Sequence, residues 1–485
     1  MTYMTLMKHV ACLLVFAASL GLAATAPAGE PLTIAQAETT PATPPATEAA
    51  PAPAEAPTAA PVETHSTAPV MAPHAKPLEL NSGDTAWMLT STALVLMMTV
   101  PGLALFYSGM VRKKNILATA AQSFAITALV TVLWMVIGYS LAFTNGGSAH
   151  AFIGGLDRVM LSGMGVEVAH SLAGTIPESV YMTYQMTFAI ITPALICGAF
   201  ADRMKFSAMM LFMGIWLLVV YAPVAHWVWG GGFLGSKGVL DFAGGTVVHF
   251  NAGVAGLVCA MVLGKRVGYG TDNMAPHNLL YCLIGASLLW VGWFGFNGGS
   301  AVASNGLAGM AIANTQIATA AAALSWLAAE WAIQGKPSVL GMVSGAVGGL
   351  VAITPAAGFV APDGALYIGL LSGIMCYLGA VWLKRALGYD DSLDAFGVHG
   401  IGGATGAILT GVFALPAINS LGTGLIAGNP GQVLVQIEGL LYSGVYCAAA
   451  TFIILMGLNY AIGLRVSREE EVEGLDITQH GETIR

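Results

Sequence analysis

The chain has 485 residues, of which 56% are hydrophobic and only 9% charged, and its mean hydropathy is +0.75. A soluble domain carries about 25% charged residues, so this composition excludes a soluble globular protein or a nucleic-acid binder and points to a multi-pass membrane protein. The formal net charge of −8 identifies no partner, because much of the acid sits in one stretch, "EEEVEGLD".

In chain order, Lys8 and His9 precede the apolar run "VACLLVFAASLGLAA", and small residues follow from Ala24 to Ala28. That pattern reads as a signal peptide over residues 1–28. Residues 29–80 are rich in Ala, Pro, Thr and Glu without a periodic apolar face, and read as a disordered linker. The membrane domain is expected over 81–464, with eleven apolar spans near 85–107, 115–143, 179–200, 207–227, 246–264, 278–297, 311–333, 338–358, 366–384, 396–415 and 434–463. Residues 465–485 form a polar tail. The fold class is therefore an all-α membrane protein.

Positive charge orients the spans. With the first span running from outside to inside, the inner loops and tail hold thirteen Lys and Arg, among them Arg112, Lys114, Arg203, Arg266 and Arg465. The outer loops hold only Arg158 and Lys237. The N-terminus is thus expected outside and the C-terminus in the cytoplasm, as an exported leader requires.

Six cysteines are scattered with no CxxC spacing, which indicates neither a disulfide framework nor a zinc site. The informative polar residues are two histidines in apolar, glycine-rich runs. "DFAGGTVVHFNAGVAG" from Asp241 carries His249, Gly253 and Gly256; "DSLDAFGVHGIGGATG" from Asp391 carries His399, Gly403 and Gly406. The spacing i, i+4, i+7 puts each set on one helix face, and glycines there permit close helix approach. The histidines fall in spans five and ten. If spans six to ten repeat one to five, the second copy is inverted, with one extra helix at the end. Inverted repeats place a site near the midplane between the copies. A polar residue at that depth is a functional hypothesis by default. Two neutral imidazoles can share one ring-nitrogen hydrogen bond, and that bond is expected between His249 and His399.

These runs carry a resemblance. "DFAGGTVVHFNAG" and "DDSLDAFGVHGIGG", together with "AFADRMKF", "WFGFNGGS" and the tail "GLRVSREEEVEGLDITQHGE", resemble the ordered motifs of the ammonium transporter (Amt) family from about residue 81 onward. The resemblance implies a homotrimer in the bacterial inner membrane, with one narrow apolar pore per subunit, carrying ammonium or ammonia. It implies pore histidines at His249 and His399, and stacked gate phenylalanines at Phe188 and Phe296. An ammonium-recruiting cup is implied at Phe188, Trp229 and Ser300. It also implies a PII-type signalling protein docking at the tail face, and no cofactor or metal. Tyr184 stands where many members of the family carry phenylalanine.

The acids and remaining histidines read more plainly. Asp241 and Asp394 precede the histidines and are expected to bond backbone N–H groups at helix starts. For Asp241, electrostatic help to an incoming cation is an equal alternative. Glu330 reads as a structural acid, and His150, His170, His226 and His277 as ordinary interfacial residues. An ammonium sensor, an intramembrane hydrolase and an Rh-type gas channel are the competing functions. The hydrolase lacks any HExxH or GxSxG, and Trp229 and Ser300 favour the ammonium-recruiting branch over the gas channel.

Overall fold

The computed structural model describes residues 79–484. The signal peptide and the linker up to residue 78 lie outside the described residues. Among the described residues, ten helical stretches are long and apolar enough to cross a membrane. They are α1 (Ser82–Met110), α2 (Lys113–Phe143), α3 (Glu178–Phe200), α4 (Phe206–Ser236), α5 (Gly245–Leu263), α6 (Leu279–Gly299), α7 (Gly306–Gln334), α9 (Pro362–Leu387), α10 (Phe396–Phe413) and α11 (Gly431–Ala461). A shorter apolar helix, α8 (Val339–Ile353), stands between α7 and α9. One two-stranded antiparallel sheet, β1 (Ala169–His170) with β2 (Ala173–Pro177), lies in the α2–α3 loop. Two short helices, α12 (Arg468–Glu473) and α13 (Leu475–His480), form the tail.

Local chemistry sets several of these boundaries. Asn81, Asn278, Asn305 and Ser338 each accept a backbone N–H at the first turn of α1, α6, α7 and α8, satisfying donors that the helix itself leaves free. The eighth span was expected over 338–358, but the helix stops at Ile353. Pro355 follows two residues later and has no N–H to carry the helical hydrogen-bond ladder on, although Thr354 before it still has helical backbone angles (φ −52°, ψ −46°). The unwound segment beyond α8 is used: the Pro355 carbonyl accepts from Phe242 N at 3.1 Å, just ahead of α5. Fifteen residues of helix reach only about 22 Å, so α8 needs that segment to complete the layer.

Helices α5 and α10 cross through the glycines that follow their histidines. A Cβ on Gly253 of α5 would run into the backbone of Gly400, the residue after His399. A Cβ on Gly403 of α10 would meet Phe250 N, the residue after His249, at 2.8 Å. The contact is reciprocal: the glycine four residues past one histidine sits on the residue next to the other. That is the relation an inverted repeat produces.

The tail folds back on loops that the positive-charge rule had grouped together. Lys114 Nζ donates to Glu471 O, Leu475 N to Asn115 Oδ1, Ala118 N to Asp476 Oδ1, and Val267 N to Glu471 Oε1. Lys205 N donates to Leu464 O at 2.9 Å. All five of these bonds use a backbone group, so the docking depends on loop shape as much as on charge.

Candidate functional site

Each histidine sits in the first turns of its helix, and a buried aspartate eight residues earlier anchors that start. The Asp241 carboxylate accepts four backbone N–H groups, from Gly244 (2.8 Å), Gly245 (2.6 Å), Thr246 (2.9 Å) and Val247 (3.0 Å). Burial pushes its carboxyl up, and these four bonds oppose that push. In the second half the same position is Asp391, which accepts from Ala395 N (3.1 Å) and Phe396 N (2.8 Å). Here burial raises the carboxyl to about 6.

Asp394 does not bond the helix start as expected. It pairs with Lys384 at 2.6 Å and adopts a left-handed backbone, φ 59°, a geometry that places its side chain outside the helix start. The common interval would have pointed to Asp391, since Asp241–His249 and Asp391–His399 both span eight residues.

Past each anchor the backbone makes one wide π-type turn, over Gly245–Phe250 and Phe396–Gly400, so that His249 N bonds Gly244 O rather than the usual fourth-back carbonyl. These turns hold the two rings together: their centroids lie 5.4 Å apart with planes 17° from parallel. Both imidazoles are buried, His399 keeping 4% exposure and His249 none. The shared hydrogen bond is not formed. Both ring nitrogens of His249 and Nδ1 of His399 have no hydrogen-bond partner among the described residues. The reason lies in the neighbour that sequence reasoning missed. Trp293 stacks on His249 at 5.1 Å and 20°, and its own indole donates to Thr354 Oγ1 at 2.9 Å. His249 lies flat on that fixed indole instead of turning a nitrogen to its twin. Trp293 opens the "WFGFNGGS" block, three residues before Phe296 on the same helix face, and that spacing was the available signal.

From His249 the rings continue. Phe296 lies 5.8 Å from it, Phe188 lies 4.2 Å from Phe296, and Trp229 meets Phe188 edge-on at 5.9 Å. Beside Phe188 and Trp229 is a cavity of about 20 Å³ that Tyr184, Gln185 and Ser300 also line, room for about one water-sized molecule. Trp229 Nε1 donates to the Asp241 carbonyl at 2.9 Å, so one residue ties the cavity wall to the start of the His249 helix. All of Phe188, Phe296, Trp229, Ser300, His249 and His399 thus belong to one connected group, and Asp241 supports it. Asp394 lies outside it.

The remaining polar residues are structural. Glu330 accepts from Ser338 N (2.9 Å) and Ser338 Oγ at the start of α8. His226 is not interfacial: it is fully buried, its ring bonding the carbonyls of Ala142 (2.9 Å) and His150 (2.6 Å). Those two carbonyls come from the α2–α3 region, 76 and 84 residues away, a contact no local pattern announces. At the tail side, Arg266 holds Asp390 with two short bonds, 2.8 Å and 2.9 Å. Burial pushes the Asp390 carboxyl up, but the Arg266 guanidinium wins and holds it below the usual range. Among the described residues no cluster of three or more His, Cys, Asp or Glu has metal-binding geometry.

Residues 86–484 match the model of the Ammonium Transporter Family. The chain belongs to that family. It is 50% identical over 404 residues to an ammonium transporter of Bacillus subtilis, covering 83% of this chain and 98% of that protein. It is 51% identical over 409 residues to one of Aquifex aeolicus, covering 84% and 95%. Among solved structures, Saccharomyces cerevisiae Mep2 superposes with a TM-score of 0.75 at 35% identity, over 81% of this chain and 89% of that one. A structure described as a sensor Amt protein superposes with a TM-score of 0.76 at 26% identity, over 82% and 98%. This family member is a multi-pass membrane protein, as its ten long apolar helices require.

Proposed function

We propose that the chain transports ammonium: the ion is captured in the cavity at Phe188, Trp229 and Ser300, gives up its proton, and crosses as ammonia past His249 and His399. The observation that carries this reading is the unbroken line of rings from Trp229 through Phe188, Phe296 and His249 to His399. It runs from a cavity of ion size to two buried imidazoles with free nitrogens. A cation beside aromatic faces gains up to about 2 kcal/mol when desolvated. Beyond the phenylalanines the surroundings are apolar, and a bare charge there is far costlier. Ammonium's pKa lies roughly two units above neutrality, so removing the proton costs roughly 3 kcal/mol. Neutral ammonia is therefore the cheaper passenger, and the imidazole nitrogens give it polar stations along the way.

In this reading the N-terminus lies outside and the tail inside, following the charge asymmetry. Three copies assemble in the plasma membrane, each with its own path. The folded tail is the regulatory face, offered to a PII-type partner. The test is ammonium-driven current in membranes holding His249→Ala or His399→Ala. Each variant is expected to lose most of the current, or to change what passes, at unchanged abundance. Parent-like current and selectivity in both variants would refute the histidine path.

A further inference from the structure

We propose that the cleft between the α5–α6 loop and the tail binds a phosphate-bearing anion, a phosphate ester held between Lys265 on one wall and Arg468 on the other. The inference goes beyond transport: the cleft lies past the end of α5, at the opposite end of that helix from the Asp241 anchor.

The cleft holds about 500 Å³, and Lys265, Arg266, Tyr269, Arg465, Arg468 and Glu471 are among its lining residues. Small-molecule sites run to about 300–1,000 Å³, so there is room for a phosphate and the group esterified to it. The walls are distant in sequence: one is the loop after α5, the other the chain from α11 into α12. Two bonds tie them together. Val267 N donates to Glu471 Oε1 at 2.7 Å, and Arg465 Nη1 donates to the Leu263 carbonyl at 2.9 Å. The site is thus formed before any ligand arrives, which lowers the ordering cost of binding.

The charges do not balance. Four of the lining residues are cations and one is an acid. Arg266 is paired with Asp390 at 2.8 Å and Arg465 with Glu471 at 2.6 Å, and these pairs fix both guanidiniums in place. A guanidinium has five N–H donors. Arg266 and Arg465 each use one on each of their three nitrogens, so each keeps two. Lys265 and Arg468 are exposed, and among the described residues neither has an ion-pair partner. Lys265 Nζ lies 5.3 Å from the centroid of the Tyr269 ring, which keeps the ammonium group beside another lining residue. One uncompensated positive charge therefore stands on each wall.

A phosphate ester carries about −1.5 to −2 at neutral pH. That matches the two uncompensated charges, whereas a carboxylate would leave one over. Phosphate oxygens also accept the parallel donors of a guanidinium. The loop wall begins at Gly264, directly after α5, and the tail wall begins just past Ala461, the end of α11. Both helices are membrane spans, so the cleft sits where lipid headgroups and dissolved phosphates can both reach, and basic pockets at span ends take phosphate headgroups.

The experiment uses purified full-length protein without ammonium, and inorganic pyrophosphate as the probe. Binding is read as a rise in melting temperature in neutral detergent, against sodium chloride at equal ionic strength. The parent is expected to show a saturable rise. Lys265→Gln and Arg468→Gln should each raise the half-saturating concentration about fivefold, and the double variant should lose most of the rise. Neither residue has an ion pair to lose, so both variants should melt like the parent when the probe is absent. Lys265→Arg and Arg468→Lys, which keep the charges, should bind like the parent, as should Lys237→Gln, which removes a lysine far from the cleft in sequence. A second arm places the protein in phosphatidylcholine vesicles with and without phosphatidic acid. A variant-sensitive rise with pyrophosphate identifies a dissolved phosphate as the ligand; one seen only with phosphatidic acid identifies a lipid headgroup, and either supports the site. No rise with either probe overturns the proposal, as does a rise that sodium chloride reproduces or that Lys265→Gln and Arg468→Gln leave intact. Ammonium transport enters neither readout, so this failure leaves the transport reading standing, and parent-like current in the histidine variants leaves this site standing.

Discussion

The two histidine-bearing halves use one plan and finish it differently. Both start with a buried aspartate eight residues before the histidine, pass through one wide turn, and close on the partner through a glycine four residues beyond. In the first half Asp241 holds four N–H groups and Trp293 fixes the imidazole. In the second half Asp391 holds two, and no aromatic ring other than His249 stacks on His399 among the described residues. The second half is instead surrounded by ion pairs, Arg266 with Asp390 and Lys384 with Asp394. The first half is thus built to hold its histidine rigidly below the cavity. The second is tied through Arg266, the neighbour of Val267, to the loop that the tail grips. A repeat supplies the crossing; the surroundings of each copy divide the work.

The crossing is the most sensitive feature of this comparison. Gly253→Val and Gly403→Val each push a branched side chain into the opposing backbone. Each is expected to cost about 3 kcal/mol or more by overpacking, seen as a large drop in melting temperature in detergent. Equal losses in the two variants would bear out the reciprocity; a tolerant Gly403→Val would break it.

The anchors should be unequal. Asp241→Ala strands four buried N–H groups and Asp391→Ala two, at about 1–3 kcal/mol for each group that finds no other partner. Melting temperature is expected to fall more for Asp241→Ala, while Asp394→Ala, which removes a partly exposed ion pair, should shift it least. An Asp394→Ala loss as large as that of Asp391→Ala would restore Asp394 as the anchor.

Trp293→Leu tests rigidity. It removes the indole under His249 but leaves both histidines, and is expected to lower ammonium current several-fold with little change in half-saturation. Unchanged current would show that stacking on His249 does not position the site.

The smallest effect is a pH slope. Asp391 has its carboxyl raised from 3.8 to about 6, chiefly by burial. A raised value means that folding favours the protonated form. Its contribution to stability is full below about 3.8 and is lost as pH rises through about 6. Asp391→Asn removes this titration, so the parent should lose melting temperature relative to the variant between those pH values. Parallel pH profiles for the two proteins would show that the carboxyl is not perturbed.

Hydropathy and helical spacing made the spans, the crossing glycines and the twin histidines legible in the sequence, because each of these is set by neighbours within a few residues or by partition into lipid. Asp394 shows where that reading fails. Asp391 and Asp394 lie on the same short loop and both are acids; only the left-handed backbone at Asp394 and the reach of Lys384 separate their roles. His226 looked like a residue at a span end, and became buried because two carbonyls from a distant segment close on its ring.

By itself, then, the sequence determined that the chain crosses a membrane many times and that two halves carry matched histidines, since composition and periodicity depend on local spacing alone; that aromatic residues belong with them came only from the resemblance of their motifs to the family. Only the tertiary structure decided which aspartate anchors which helix, that the imidazoles stack without sharing a hydrogen bond, and that Trp293 and Tyr184 join the group. These depend on distances between helices far apart in sequence, where an ångström or a ring rotation separates a bond from a contact.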